Sequence, residues 1–207
     1  MVGIDFNPTA IDRASSIMET LGITNVAVVV GDLHTITPDE LGAPFDLAFS
    51  RQFLLHQPDP ARTLRCIAEL LRPGGVLVVQ EPFRSPPWRS HPHISQVSAH
   101  WELLYETIER AGTPHQAVED LPRIARAAGF EVTAMTGFVK MFPPEVGLQL
   151  AMANVAAVRE RAQALGVATE QQLDGLMGGL SAAMNTKESY DWIACPLVFD
   201  LAFQRLG

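Results

Sequence analysis

Two short apolar runs near the N-terminus end in acids. MVGID closes on Asp5 ahead of Phe6-Asn7-Pro8, and the run from Asn25 to Val30 closes on Gly31-Asp32-Leu33. A carboxylate at the carboxyl end of a strand in an open parallel sheet can bind ribose hydroxyls, because it only accepts hydrogen bonds. Asp5 stands at such a place, the alternative being an aspartate that only starts a turn. Asp32 by itself reads as a loop aspartate bonding its own backbone. His56 follows the apolar segment FDLAFS, and its imidazole could take a proton from a substrate near neutral pH or simply pack or cap there. His91, His93, His100 and His115 offer the same chemistry, and the sequence does not choose among them. The His91 and His93 pair also suggests a metal, but no cysteine or carboxylate stands at ligand spacing, so none is expected. Cys66 and Cys195 form no CxxC pair and are expected as buried small apolar residues.

The elements that must carry these groups are legible around Phe45 to Phe83. FDLAFS is a short strand. Asp59 and Pro60 open a helix whose apolar positions Leu64, Ile67, Ala68, Leu70 and Leu71 fall at helical spacing. Arg72-Pro73-Gly74-Gly75 stops it, and VLVVQE follows as a nearly continuous apolar strand, giving one right-handed βαβ unit. Upstream, Asn7 caps a helix that ends at Gly22. Downstream come a Pro-, His- and aromatic-rich stretch from Phe83 to Ser95, an amphipathic helix, a short helix after Asp120, and a strand FEVTAMTGFVKM. A long helix then spans Pro143 to Leu165, with Val146, Leu150, Ala153, Ala157 and Leu165 on or near one face, read as core packing. Thr169 and Gln172 form a capping box, and IACPLVFDLAFQ closes the chain as a strand.

FDLAFS, the LLH after it and LRPGGVLVV together resemble the class I S-adenosylmethionine-dependent methyltransferases, where such a segment forms the fourth strand, its helix and the fifth strand. The resemblance implies an α/β fold with a Rossmann-like, mostly parallel sheet, an antiparallel closing strand and helices on both faces. It implies one domain over residues 1–207, with 84–116 as a substrate lid. The cofactor it implies is S-adenosylmethionine, with Asp5 on the ribose, Phe6 beside the adenine ring, Asp32 meeting the exocyclic amine and Leu33 framing the ring. Ser50 and Arg51 would line the methionine half, largely through backbone groups. A catalytic residue is not fixed, and His56, His91, His93 and His100 stay as candidates.

The resemblance begins late. Only four residues precede Asp5, which leaves no room for the first strand and its glycine-rich loop. The expectation is a chain truncated at its N-terminus, lacking the central strand and impaired in activity, or a remodelled fold that has lost cofactor binding. Composition narrows the function classes. A 207-residue chain with 47% hydrophobic residues fits one domain. Its net charge of -8 argues against nucleic acid and anionic membrane as partners. No segment reads as a membrane span or signal peptide, so a cytoplasmic location is expected. The neutral-to-apolar surroundings of Pro86, Pro87, Trp88 and Trp101 favour a small-molecule methyl acceptor. A non-catalytic partner or scaffold is the alternative, and an exposed strand edge would favour a homo-oligomer. A nicotinamide-dependent oxidoreductase is disfavoured by the Pro-Gly-Gly crossover and by the lack of a Tyr-x-x-x-Lys pair.

Overall fold

The computed structural model describes residues 1–114, 116–186 and 191–207. β1 (Val2–Asp5) and β2 (Ala27–Val30) pair in parallel, with Asp5 opposite Val30. Between them runs α1 (Pro8–Leu21), begun by Asn7, whose side chain accepts from the Thr9 amide at 3.0 Å. The polar loop after β2 holds one turn of helix that its composition does not announce. This is α2 (Pro38–Leu41), closed by a Thr37–Glu40 capping box.

The βαβ unit forms as its sequence dictates. β3 (Phe45–Arg51) leads through a 3-10 turn at Leu54–His56 into α3 (Pro60–Leu70), where Asp59 accepts from the Arg62 amide at 2.9 Å. β4 (Leu71–Pro82) then lies parallel to β3. The Pro-Gly-Gly turn has a steric cause, since a Cβ on Gly75 would lie 2.8 Å from the Arg72 carbonyl oxygen. After it come β5 (Arg89–His91), which the pattern of residues does not reveal, and α4 (Ser95–Arg110). The rest of the chain forms α5 (Leu121–Ala127), β6 (Phe130–Phe142), α6 (Pro144–Ala164), α7 (Glu170–Asn185) and β7 (Trp192–Arg205).

β7 is the strand that runs against the others. It takes β4 along residues 198–204 and β5 along 192–194, and on its opposite side it takes β6. Helices cover both faces of this mixed sheet. One face of β4 is fully buried through Leu77, Val79 and Glu81, in a core that includes Leu54, Leu64, Phe130 and Phe203. Among the described residues no helix is long and apolar enough to cross a membrane.

Two features depart from an uninterrupted sheet. First, β1 and β2 form a two-stranded sheet with no ladder to β3 among the described residues. Its flanks leave Val30, Leu47 and Phe49 at 52%, 58% and 66% exposure. The two sheets meet instead through the loop after β2, where Leu33 packs on the main core and His34 Nε2 lies 3.4 Å from Gln57 Oε1 and 3.4 Å from Thr63 Oγ1. Second, α6 does not bury the expected face. Leu148, Ala151, Val155 and Ala162 enter the core, whereas Val146 and Leu150 remain 42% and 39% exposed. Apolar residues occur all round this helix, so spacing alone could not select the buried stripe.

Candidate active site

Strand register brings the two N-terminal acids together. The Gly31 amide donates to the Asp5 carbonyl at 2.9 Å, so Asp5 and Asp32 leave the carboxyl ends of adjacent parallel strands side by side. Asp5 Oδ1 accepts from the Asn7 amide at 2.8 Å, and Asp32 Oδ1 accepts from the His34 amide at 2.9 Å. Both aspartates thus make the local turn bonds that the bland reading of each requires, and in each the second oxygen accepts nothing among the described residues. Phe6 stands next to Asp5 with its ring 77% exposed. Free carboxylate oxygens beside a bare aromatic ring suit an adenosine, whose diol and amine donate and whose base stacks. The contacts of His34 bring the carboxyl ends of β2 and β3 to the same side, and Ser50 and Arg51 end β3 there. Ser50 is buried, with its hydroxyl unpartnered, and Arg51 is exposed.

Beyond that edge lies a cavity of about 700 Å³. Arg51 and His56 border it from the end of β3, and Gln80 from β4. Trp88 and Trp101 come from the stretch read as a lid, Phe138, Lys140 and Phe142 from β6, and Leu150, Asn154 and Arg161 from α6. Leu150 and Ala157, two of the α6 residues expected to pack in the core, therefore line this cavity. The aromatic wall is fixed by its polar tips and by stacking. Trp101 Nε1 donates to the Arg84 carbonyl at 2.9 Å, and the Tyr105 hydroxyl donates to the Pro82 carbonyl at 2.7 Å. Trp88 stacks on Phe142 with ring centroids 5.7 Å apart and planes 6° from parallel.

The histidines separate into distinct roles. His56 is exposed by surface area but borders the cavity, where desolvation together with the charge of Arg161 lowers its pKa and favours the unprotonated ring at pH 7. His100 is fully buried against Trp88 and Trp101, and burial brings its pKa down to about 4. His91 stacks on Trp192 and stands 3.7 Å from Asp191, away from the cavity lining, and His93 is exposed. His115 lies outside the described residues.

One residue escaped the reading of the sequence. Glu81 is 0% exposed, and its Oε1 accepts from the amides of Phe53 at 2.9 Å and Leu54 at 2.8 Å, while Oε2 has no partner. Burial raises its pKa to about 7 against the opposing pull of these amides. It ties β4 to the turn that delivers His56 to the cavity. An acid ending the apolar run VLVVQE was the available signal.

Residues 1–129 match the family described as "Methyltransferase domain". The chain belongs to the class I S-adenosylmethionine-dependent methyltransferases. Among its relatives is an uncharacterized 37.1 kDa protein in transposon TN4556 of Streptomyces fradiae, 32% identical over 142 residues, which cover 69% of this chain and 39% of that protein. Another is trans-aconitate 2-methyltransferase of Deinococcus radiodurans, 30% identical over 146 residues, which cover 69% of this chain and 53% of the enzyme. The chain thus spans about 39 to 53% of the length of these two relatives. In fold it is similar to a crystal structure titled as a putative methyltransferase from Bacillus halodurans, with a TM-score of 0.58 at 15% identity, covering 100% of this chain and 83% of that one.

Proposed function

We propose that this protein transfers the methyl group of S-adenosylmethionine to a small-molecule acceptor held in the cavity. The observation that carries the reading is the placing of Asp5, Phe6 and Asp32 at one sheet edge, with the cavity beyond Arg51. In this reading the free oxygen of Asp5 accepts from the ribose hydroxyls, Phe6 lies along the adenine, and Asp32 takes the exocyclic amine, framed by Leu33. The backbone at Ser50 and Arg51 lines the methionine half. The cofactor supplies an electrophilic sulfonium methyl.

The chain's own part is mainly positional, because an in-line displacement needs the nucleophile, methyl and leaving sulfur held in line. Trp88, Trp101 and Phe142 confine the acceptor and exclude water. His56, neutral at pH 7, takes the proton of an acceptor hydroxyl as the oxygen–carbon bond forms. Transfer is slow in this chain, since the two acids ride on a two-stranded sheet that no ladder ties to β3. The alternative, a non-catalytic partner or scaffold, draws on the same interruption and on the exposed Leu47 and Phe49.

Calorimetric titration with S-adenosylhomocysteine tests the reading. Binding is expected, and Asp5→Ala is expected to weaken it by about 10- to 100-fold, the loss of a charge-assisted hydrogen bond or two. Failure of the folded chain to bind would sink the catalytic reading in favour of the scaffold.

A further inference from the structure

The charges around the cavity run opposite to those of the chain that encloses it. The protein has 15 Lys and Arg against 23 Asp and Glu, yet Arg51, Lys140 and Arg161 line the cavity and, among the described residues, no Asp or Glu does. Elsewhere arginines are neutralised by carboxylates, as in Arg72 with Asp46, Arg84 with Glu102 and Glu109, Arg110 with Glu106, Arg123 with Asp120 and Arg159 with Asp174. Among the described residues, none of the three cavity cations has a carboxylate within ion-pair distance.

These cations are solvent-exposed, yet they border the cavity beside its apolar walls. Lys140 Nζ lies 5.2 Å from the centroid of the Phe142 ring, and that ring stacks on Trp88. Arg161 reaches the cavity from α6, on a different element, close enough to His56 to bear on its protonation. Like charges gathered in a recess repel one another, and low-dielectric walls focus their field on whatever enters. A guanidinium adds a planar fork suited to a carboxylate or phosphate.

Building on the methyl-transfer reading, we propose that the acceptor is an organic anion: a planar, apolar body carrying a carboxylate or phosphate that Lys140 and Arg161 receive. The aromatic wall of Trp88, Phe142 and Trp101 takes the body of the molecule, and its nucleophilic atom faces His56. Arg51, at the end of β3, stays with the methionine half of the cofactor. The methionine carboxylate is the other anion that Lys140 and Arg161 could hold, and the experiment separates the two.

The test uses the whole chain with phenylacetate and its uncharged counterpart phenylacetamide, binding being followed by the emission of Trp88 and Trp101. Phenylacetate is expected to bind about tenfold more tightly, the effect of one well-placed charge-assisted contact. That preference should fall to within about twofold in Lys140→Gln/Arg161→Gln, with phenylacetamide binding unchanged in the same variant as a check that the cavity is intact. Equal binding of the two probes, no binding of either, or a preference that survives the double variant would overturn the proposal. S-adenosylhomocysteine is titrated into the same samples. Weakened cofactor binding in the double variant would give the cations to the methionine carboxylate and likewise overturn it. If the native chain binds no cofactor but prefers phenylacetate, the anion site stands and the methyl-transfer reading fails.

Discussion

Glu81→Ala is expected to lower the stability of the fold by about 3 kcal/mol or more at pH 5, read as a shift in the midpoint of urea unfolding. The variant leaves the Phe53 and Leu54 amides, now bonded to Oε1, without their acceptor at a position where Glu81 is fully buried. Each such orphaned donor costs about 1–3 kcal/mol, and the missing side chain leaves a void in addition. The pH dependence distinguishes this from a simple packing loss. With its pKa raised from 4.5 to about 7, the carboxyl group binds more protons folded than unfolded between those values. Its contribution is therefore complete below pH 4.5 and declines by about 3 kcal/mol as pH rises through 7. Glu81→Gln keeps an acceptor for both amides and cannot ionise. The difference in stability between the native chain and this variant therefore isolates Glu81 from the opposite titration of His100, and the variant should overtake the native chain near pH 8. A native chain whose stability does not fall between pH 5 and 8, relative to Glu81→Gln, would refute the assignment. Methyl transfer, where measured, should fall in Glu81→Ala through loss of position at His56.

Gly147→Val is the second large effect, expected to destabilise by about 3 kcal/mol. A Cβ at Gly147 would meet Ile193 Cβ at 2.6 Å, Cγ2 at 2.8 Å and Cδ1 at 2.9 Å. Rotamer changes cannot relieve the contact with Ile193 Cβ, which is fixed to the β7 backbone, so α6 must move away from the sheet. That movement would carry Leu150, Asn154 and Arg161 with it and change the shape of the cavity. Gly175→Ala is the control. A Cβ at Gly175 meets nothing within 4 Å, and there the gain in helix propensity should stabilise by about 0.5–1 kcal/mol. Equal thermal midpoints for both variants would mean that α6 does not approach β7 as closely as described.

How much of this was legible beforehand depends on the range of the interactions involved. Asn7, Asp59 and the Thr169–Gln172 box bond to amides two or three residues away, so the helix starts could be read directly. Asp5 and Asp32 could be placed at strand ends for a similar reason, because strand and turn are both local. Glu81 could not be assigned, since its partners at Phe53 and Leu54 are 28 and 27 residues away and meet it only once β3 and β4 pair. The stripe on α6 misled because a helix with apolar residues all round has its face chosen by its neighbours. Those neighbours turn Leu148 and Val155 inward and give Leu150 and Arg161 to the cavity.

The sequence by itself determined the βαβ unit, the helix caps, the strand-end acids and, through FDLAFS and LRPGGVLVV, the family, because each rests on backbone geometry that nearby residues impose. Only the tertiary structure decided that His56 borders the cavity, where Glu81 bonds, and that Arg51, Lys140 and Arg161 line one recess with no acid among the described residues. Those facts depend on residues far apart in sequence being brought together, and hydrophobic burial, which brings them there, acts on area rather than on order along the chain.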